Sequence, residues 1–250
     1  MDPILELKNV SCSYHTPQQE TIALKNFSLQ VQKGEFISIV GPSGCGKSTL
    51  LSLIAGLMEP SDGIIKVHGN NIGYMLQKDH LFEWCNIYNN VTLGLNIHHT
   101  LSDKTRKNVS DMLDSYGLTT FKKAKPSQLS GGMRQRAALI RTLALDPDLL
   151  LLDEPFSALD YQTRLEVCDD IYHIIKKEEK TAILVTHDLA EAISTGDKVI
   201  ILTRRPATIK KIIPISFSLK QRTPFQCRNA VEFKDYFNLI WKELTDYEIS

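Results

Sequence analysis

The sequence predicts an α/β fold, in which a mostly parallel sheet carries helices on both faces. One observation is the segment 36–57, where an apolar, β-rich run leads into a glycine-rich loop and then into leucines at helical spacing. The other is the segment 133–202, where helix-like and strand-like runs alternate. Alternation of this kind is typical of parallel strands that are joined by crossover helices.

The first forty residues predict an antiparallel β subdomain ahead of that core. Apolar and polar residues alternate there in two short strands, which are marked by Leu5, Leu7 and Val10 and by Phe27, Leu29 and Val31. Turn residues Lys33 and Gly34 then precede the run at 36–40. Because this run is apolar almost throughout, it predicts a strand that is buried on both faces.

The alternating segment predicts two helices and three strands in turn. The helices are expected at 133–145 and 162–176, and the strands at 149–152, 182–185 and 199–202. Asp146 and Pro147 break the first of these helices.

Two regions lie outside this alternating pattern. Residues 81–125 are more polar and lack a strong strand run, so they predict an inserted helical subdomain, which we place at about 81–145. We expect the main domain to span 1–205 and a helical extension to span 206–250. In the extension, one helical face is apolar and the other mixes charges of both signs. That pattern favours a helix packed on the core over a helix on a membrane surface.

Composition excludes several classes of protein. Hydrophobic residues make up 42% of the 250 residues, which is typical of a globular core. The 29 basic and 29 acidic residues cancel, so no nucleic-acid partner is expected. We find neither an apolar run long enough to span a membrane nor an N-terminal signal sequence, and we expect a cytosolic chain unless a partner carries it to a membrane. The five scattered cysteines predict free thiols.

A phosphate-binding loop is predicted between the first core strand and its helix. The segment fits the pattern G-x-x-x-x-G-K-S and has the strand–loop–helix context that the pattern requires. Backbone N–H groups would face the phosphate oxygens, Lys47 would bridge the β- and γ-phosphates, and the Ser48 hydroxyl would bind Mg²⁺. The predicted nucleotide-binding residues here are Gly41, Pro42, Ser43, Gly44, Cys45, Gly46, Lys47, Ser48 and Thr49.

Two carboxylates follow the leucine-rich strand at 149–152. Ligands of open α/β sheets bind at the carboxyl ends of the strands, which is where Asp153 and Glu154 emerge. Asp153 would hold Mg²⁺, and Glu154 would polarise the attacking water. The ordinary alternative, a pair of surface acids, is disfavoured beside a phosphate loop.

Two single residues complete the predicted catalytic set. Gln77 follows the apolar run at 72–76 and opens the inserted region, where its side chain would touch Mg²⁺ and the water. His187 follows the strand at 182–185, where its ring would hydrogen-bond the γ-phosphate. A lone histidine is usually structural, so each of these two signals is weak without the others.

Ser130, Gly131 and Gly132 form a second glycine-rich site directly before a helix. Glycine lets a phosphate approach the backbone, and the helix supplies a positive end. One nucleotide in one subunit has no need of these extra N–H donors. The ordinary alternative is a serine N-cap, but Leu129 before it and Gln135 and Arg136 after it favour a functional site.

Taken together, these motifs resemble the nucleotide-binding subunit of an ATP-binding cassette (ABC) transporter. The resemblance runs from Leu5 to about Ile209 and includes the stretch from Ser157 through Ala158 and Leu159 to Asp160. It implies a P-loop NTPase (RecA-like) core, ATP hydrolysis with Mg²⁺, and a homodimer of ATPase subunits.

Residue roles follow from this resemblance position by position. Tyr14 would stack on adenine. Ser130 and Gly132 would contact the γ-phosphate that the other subunit binds, and Asp160 would link the two sites across the dimer. Glu154 would be the catalytic base, and His187 would sense the γ-phosphate.

Finer features resemble the ATPases of nitrate, sulfonate and taurine importers. They are Phe156, the arginine-proline segment at 203–209 and the segment 81–94, although Glu83 stands where that group usually has proline. The resemblance implies a membrane permease whose coupling helix docks on 81–94, an extracytoplasmic solute-binding protein, and a location on the cytoplasmic face of the membrane.

Several alternatives stay open at this stage. Importers of thiamine precursors and related solutes share these features. A soluble ABC protein of ribosomes or DNA, an exporter ATPase and a non-hydrolysing nucleotide sensor fit less well. The first usually carries two cassettes, the second often has threonine at position 156, and the third would be expected to lack Glu154 or His187.

Overall fold

The fold places two sheets on either side of the glycine-rich loop's helix. The structure, a computed structural model, describes residues 3–15, 19–69, 71–157 and 159–245. The strands of the described chain are β1 (Leu5–His15), β2 (Glu20–Val31), β3 (Phe36–Val40), β4 (Asp62–Val67), β5 (Ile72–Met75), β6 (Leu149–Asp153), β7 (Thr181–Val185), β8 (Lys198–Leu202) and β9 (Ile209–Pro214).

The helices lie between these strands and after the last of them. They are α1 (Lys47–Ile54), α2 (Ile87–Ile97), α3 (Asp103–Ser115), α4 (Gly131–Leu143), α5 (Tyr161–Lys177), α6 (Leu189–Thr195), α7 (Pro224–Arg228) and α8 (Val231–Thr245). Two short 3-10 helices, Thr119–Phe121 and Pro126–Gln128, connect α3 to α4. No helix within the described ranges is both long and apolar enough to cross a membrane.

The larger sheet has the strand order β5-β6-β7-β3-β8-β9. Its first five strands run parallel, and β9 adds to β8 in the antiparallel sense. The parallel strands all end at one edge, so the loops that follow them converge. The smaller sheet is antiparallel with the order β2-β1-β4. The mostly parallel core and the antiparallel N-terminal sheet therefore agree with the predicted architecture.

The larger sheet is buried on both faces. Ile37 and Ile39 of β3 pack toward α1 and the small sheet. Phe36 packs in a second cluster with α4 and α5, and Val40 in a further cluster with α6 and α8. These alternating contacts explain why β3 lacks the apolar–polar alternation of a half-exposed strand.

The inserted helices form their own core around Val91, Leu113 and Ile140. Helix α4 belongs to both units, since Ile140 packs among the inserted helices and Leu139 packs against the sheet. The C-terminal region begins with strand β9 and then forms α7 and α8, of which α8 packs Ile240 against the core. The predicted limits at 81–145 and 205/206 stay predictions, and the second of them falls just before a strand of the main sheet.

Candidate functional site

The phosphate loop joins β3 to the start of α1. Gly44 has φ +69° and Gly46 has φ +125°, conformations that favour glycine. A Cβ on Gly46 would lie 3.1 Å from the backbone oxygen of Ala23, which leaves no room for a side chain. No side chain caps α1, so the first N–H groups of the helix are arranged to bind an anion.

Lys47 folds back over this loop. Its Nζ donates to the backbone oxygens of Gly41 at 2.8 Å and Pro42 at 3.0 Å, and the residue is buried. Cys45 is also buried, and burial raises the pKa of its thiol. A Cβ on Gly41 would lie 3.1 Å from Cys45 Sγ. Cys45 therefore fills space behind the loop.

Asp153 ends β6, in which Leu149–Leu152 are 0% exposed. Its Oδ1 accepts from Ser48 Oγ at 3.3 Å, and its Oδ2 accepts from Tyr74 OH at 3.4 Å. Burial raises the pKa of Asp153, and the hydrogen bond from Ser48 opposes that rise. Burial, followed by the charge of Asp153, raises the pKa of Tyr74 to about 12.

The Glu154 side chain contacts Gln77 and His187, the two single residues that the sequence singles out. Its Oε2 accepts from Gln77 Nε2 at 3.1 Å and lies 3.2 Å from His187 Nδ1. Its backbone has φ +45°, an unfavourable value for a glutamate, and its N–H donates to the oxygen of Val185 at 2.8 Å. Side chains that follow β5, β6 and β7 thus meet at one point.

One cleft of about 650 Å³ joins the loop to these residues. It is lined by Ser43, Gly44, Gly46, Lys47, Ser48, Thr49, Gln77, Glu154, His187 and Arg205. Tyr14 flanks helix α1, with its OH 2.9 Å from Thr49 Oγ1. The structure therefore brings together the predicted residues of four separate segments.

Ser130, Gly131 and Gly132 lie elsewhere: none of them is among the described residues that line the cleft. Ser130 caps α4, because its Oγ accepts from the N–H of Met133 at 3.4 Å. Asp160 likewise caps α5. Ala158 of the same predicted motif lies outside the described residues.

A polar network lies behind His187. Thr186 Oγ1 donates to Glu191 at 2.5 Å, and Asp188 caps α6. Burial raises the pKa of Glu191 to about 7. Arg164 donates to Asp188 at 3.4 Å and lies 3.9 Å from Glu191. This network fixes the backbone on both sides of His187.

Sequence reasoning missed three residues of this region. Tyr74 belongs to an apolar run of the sequence, yet its phenol donates to Asp153. Arg205 lines the cleft, and Arg164 joins the backbone oxygen of Leu159 to Asp188. The position of Tyr74 and Arg205 at or just after the ends of parallel strands was the signal that would have found them.

Ser48 and Asp153 form an oxygen pair that fits Mg²⁺. This ion takes one or two protein oxygens and keeps water or phosphate oxygens for its other positions. Within the described residues, no group of three or more His, Cys, Asp or Glu side chains could hold a metal by itself. An ion at this place would therefore depend on a bound phosphate as well as on the protein.

Comparison with known proteins agrees with this geometry. A family model described as "ABC transporter" matches residues 24–157. The "Uncharacterized ABC transporter ATP-binding protein YtlC" of Bacillus subtilis (strain 168) is 46% identical over 98% of this chain and 96% of its own length. The "Taurine import ATP-binding protein TauB" of Jannaschia sp. (strain CCS1) is 39% identical over 86% of this chain and 83% of its own.

A solved structure shares the fold. It is the dimeric structure of a post-hydrolysis state of the ATP-binding cassette MJ0796 bound to ADP and Pi, with a TM-score of 0.74 and 31% identity over 85% of this chain and 99% of that chain. This match confirms the predicted fold class. From the family model and the relatives, the chain belongs to the ABC transporter family and is one of its ATP-binding, ATP-hydrolysing subunits.

Proposed function

We propose that this chain is the ATPase of an importer, in which ATP hydrolysis powers solute uptake through a separate membrane permease. The observation that carries the proposal is the meeting of Gln77, Glu154 and His187 in the cleft of the phosphate loop. The glycine-rich start of α4 stays outside that cleft. Half of the chemistry of the site would therefore come from a second subunit.

ATP would bind with its phosphates over the loop. The N–H groups at the start of α1 and the Lys47 ammonium would hold the phosphates, with Lys47 exchanging the oxygens of Gly41 and Pro42 for phosphate oxygens. Tyr14 would pack against adenine, since its hydroxyl already lies beside Thr49 at the loop's helix.

Mg²⁺ would be held by Ser48 and Asp153, with Gln77 close by. When bound, it would neutralise charge on the β- and γ-phosphates. The protein's own contribution is to keep the two oxygens together and Asp153 mostly shielded from solvent.

Glu154 would accept the proton of the attacking water. Its Oε2 is held by Gln77 and His187, so the carboxylate is oriented before ATP arrives. His187 would then contact the γ-phosphate. Water attacks the γ-phosphorus, the bond to the bridging oxygen breaks, and ADP and phosphate are the products.

A second copy of the chain would complete the site. We infer that Ser130, Gly131 and Gly132 of one copy face the γ-phosphate of the other, and that Asp160 lies between the two sites. MJ0796, which shares the fold, is described as a dimer bound to ADP and Pi.

The permease would dock near residues 81–94. Trp84 is 73% exposed, and its ring lies 4.6 Å from the ring of Phe82 at a tilt of 37°, which leaves an apolar surface next to the inserted helices. A groove of about 720 Å³ lies at the C-terminal end of α2, between Ala55 after α1, Leu95 of α2 and Leu145 after α4. Docking there would hold the chain on the cytoplasmic face of the membrane.

The solute would be a small organosulfonate such as taurine, delivered by an extracytoplasmic binding protein. The taurine import relative supports this class. A thiamine-precursor-type importer is the alternative, because the features at 81–94 and 203–209 resemble that group as well.

Glu154→Gln provides the decisive test. The amide cannot accept the proton, so we expect ATP binding to persist while hydrolysis falls about 100-fold or more. ATP should also trap a closed dimer, which size-exclusion chromatography would detect. The matched control is Glu166→Gln, the same change at an exposed position of α5, which should hydrolyse ATP normally. Near-normal hydrolysis by Glu154→Gln would contradict the proposed base.

Uptake measurements with the same pair of variants would test the importer. Proteoliposomes containing the chain, its permease and its binding protein should accumulate labelled taurine only with ATP and only when Glu154 is intact. Uptake of a thiamine precursor in place of a sulfonate would favour the alternative solute. ATP hydrolysis that no permease stimulates would count against an importer.

A further inference from the structure

Arg205 belongs to none of the motifs that define the site, yet it lines the nucleotide cleft. It lies on the connection between β8 and β9. Its Nη2 donates to the backbone oxygen of Gly44 at 2.7 Å, in the middle of the phosphate loop. The neighbouring Arg204 is also exposed but is not one of the described residues around the cleft.

The segment that carries Arg205 is held firmly. Thr203 Oγ1 accepts from the N–H of Thr208 at 2.8 Å and donates to the oxygen of Pro206 at 3.2 Å, which closes the turn. Ala207 is fully buried, and its N–H donates to the oxygen of Ala23 at 2.8 Å. Such a turn presents its arginine at a small cost in conformational entropy.

The same turn lies directly against the phosphate loop. A Cβ on Gly46 would lie 3.8 Å from the Cβ of Ala207, so the two segments are in contact. The contact of Arg205 with the loop therefore does not depend on the length of its side chain alone. Its backbone is fixed beside the loop on one side, and its guanidinium is bonded to the loop on the other.

Charge makes this position significant. In the cleft lining, Lys47 supplies one positive charge beside Gly41 and Pro42, and Arg205 adds a second beside Gly44. A guanidinium carries several N–H donors in a planar fork that matches phosphate oxygens, and the bond to Gly44 occupies one of them. Phosphate is the group that would need two cations around one glycine loop.

We propose that Arg205 is a further nucleotide-binding residue, which contacts the phosphate chain of a nucleoside di- or triphosphate while bonded to Gly44. The proposal rests on the nucleotide cleft described above. The phosphate chain is the expected partner because Gly44 lies within the loop. Adenine is instead expected near Tyr14, which contacts Thr49 at the end of the loop.

Calorimetric titration with ADP and with the β,γ-imido analogue of ATP would test this. We expect Arg205→Ala to weaken both affinities about 5- to 20-fold, because an exposed charge contributes less than a buried one. Arg205→Lys keeps the charge and should lose less. Arg204→Ala, the matched control, should bind like the parent chain. Melting temperatures without nucleotide would show that each variant is folded.

The salt dependence of nucleotide affinity distinguishes a phosphate contact from a purely structural hydrogen bond between Arg205 and Gly44. Between about 50 and 300 mM KCl, Arg205→Ala should show a weaker loss of affinity than the parent chain, since one cation no longer meets the phosphates. An Arg205→Ala that binds like Arg204→Ala would overturn the proposal. So would equal losses in Arg205→Ala and Arg205→Lys with an unchanged salt dependence.

Lys47→Ala distinguishes a failure of this proposal from a failure of the cleft itself. If Lys47→Ala loses binding while Arg205→Ala does not, only the role of Arg205 is wrong. If Lys47→Ala binds both nucleotides normally, the assignment of the cleft is wrong as well.

Discussion

Two helices of this chain begin at glycine-rich segments, and they begin differently. Helix α1 starts at Gly46, which has φ +125° and provides no side-chain cap. Helix α4 starts at Ser130, which has an extended backbone and whose hydroxyl accepts from the N–H of Met133. The first start is left open inside a cleft, and the second is partly closed on an exposed surface.

The glycines also serve different purposes. Gly46 is required by its backbone conformation and by the nearby backbone oxygen of Ala23, whereas Gly132 is required by side-chain packing, because a Cβ there would lie 2.7 Å from Thr163 Cγ2 on α5. Two glycine-rich helix starts can thus be similar in sequence although different physical constraints require their glycines. Among the described residues, the start of α1 lines the nucleotide cleft and the start of α4 does not, so a ligand for α4 would have to arrive on another surface.

The largest effect should come from Ser130→Arg. In the proposed dimer, the bulky cation would block the surface where a second copy would bring its nucleotide, but it would not touch the cleft of its own subunit. We expect ATP binding by the isolated chain to be unchanged and hydrolysis to fall about 100-fold or more. Calorimetry and a phosphate-release assay would measure the two quantities.

Ser102→Arg is the control for this change. Ser102 is an exposed serine that caps α3 in the same inserted region, so the variant introduces the same charge and loses a similar cap. Its hydrolysis should be normal. If Ser130→Arg hydrolysed ATP as Ser102→Arg does, the start of α4 would have no role in a shared site.

Much of the fold could be predicted because local patterns were strong. The four leucines of β6 and the glycine loop after β3 identify their elements without help from the rest of the chain. Strands β4 and β9 were not predicted, and the apolar run at 72–76, which contains β5, was not assigned to a strand. β4 contains Asp62 and Gly63, and β9 is an edge strand with Lys210 and Lys211 in its centre, so each depends on a distant partner for its pairing.

The residues of the site also differ in whether local sequence patterns could predict them. Glu154 and His187 could be singled out because each lies within two residues of the end of an apolar strand. Tyr74 resembled a core residue, and its contact with Asp153 exists only because β5 pairs with β6. Strand order, which local patterns do not contain, decides which loop residues meet. The roles of the site residues stay predictions until they are measured.

An intermediate effect is expected from alanine at the two glycines of α4. Gly132→Ala would force α4 and α5 apart, because the new Cβ would meet Thr163 and Val167 at 2.7 and 3.1 Å. We expect a loss of about 1–3 kcal/mol in the free energy of unfolding. At Gly131 the nearest atom is a methyl at the end of the Leu159 side chain, at 3.2 Å, so alanine there should change stability by less than about 1 kcal/mol.

Urea denaturation of the two variants would measure this difference. Equal losses at both positions would show that packing on α5 does not explain Gly132. A stable Gly131→Ala that nevertheless hydrolyses ATP slowly would sharpen the comparison, because it would assign Gly131 to a ligand and Gly132 to the fold.

The smallest effect should come from removing the cap of α4 alone. Ser130→Ala leaves the N–H of Met133 without its hydroxyl partner and should cost about 0.5–1 kcal/mol, near the low end for caps because the bond is 3.4 Å long. Ser102→Ala removes the corresponding cap of α3, with a similar expected loss. The rate of ATP hydrolysis should distinguish the two variants and be lower in Ser130→Ala. This variant also removes a hydroxyl that would face the nucleotide of the other subunit. Equal stability losses with equal, normal hydrolysis would show that capping is the whole function of Ser130. The start of α4 would then be of the same kind as the start of α3.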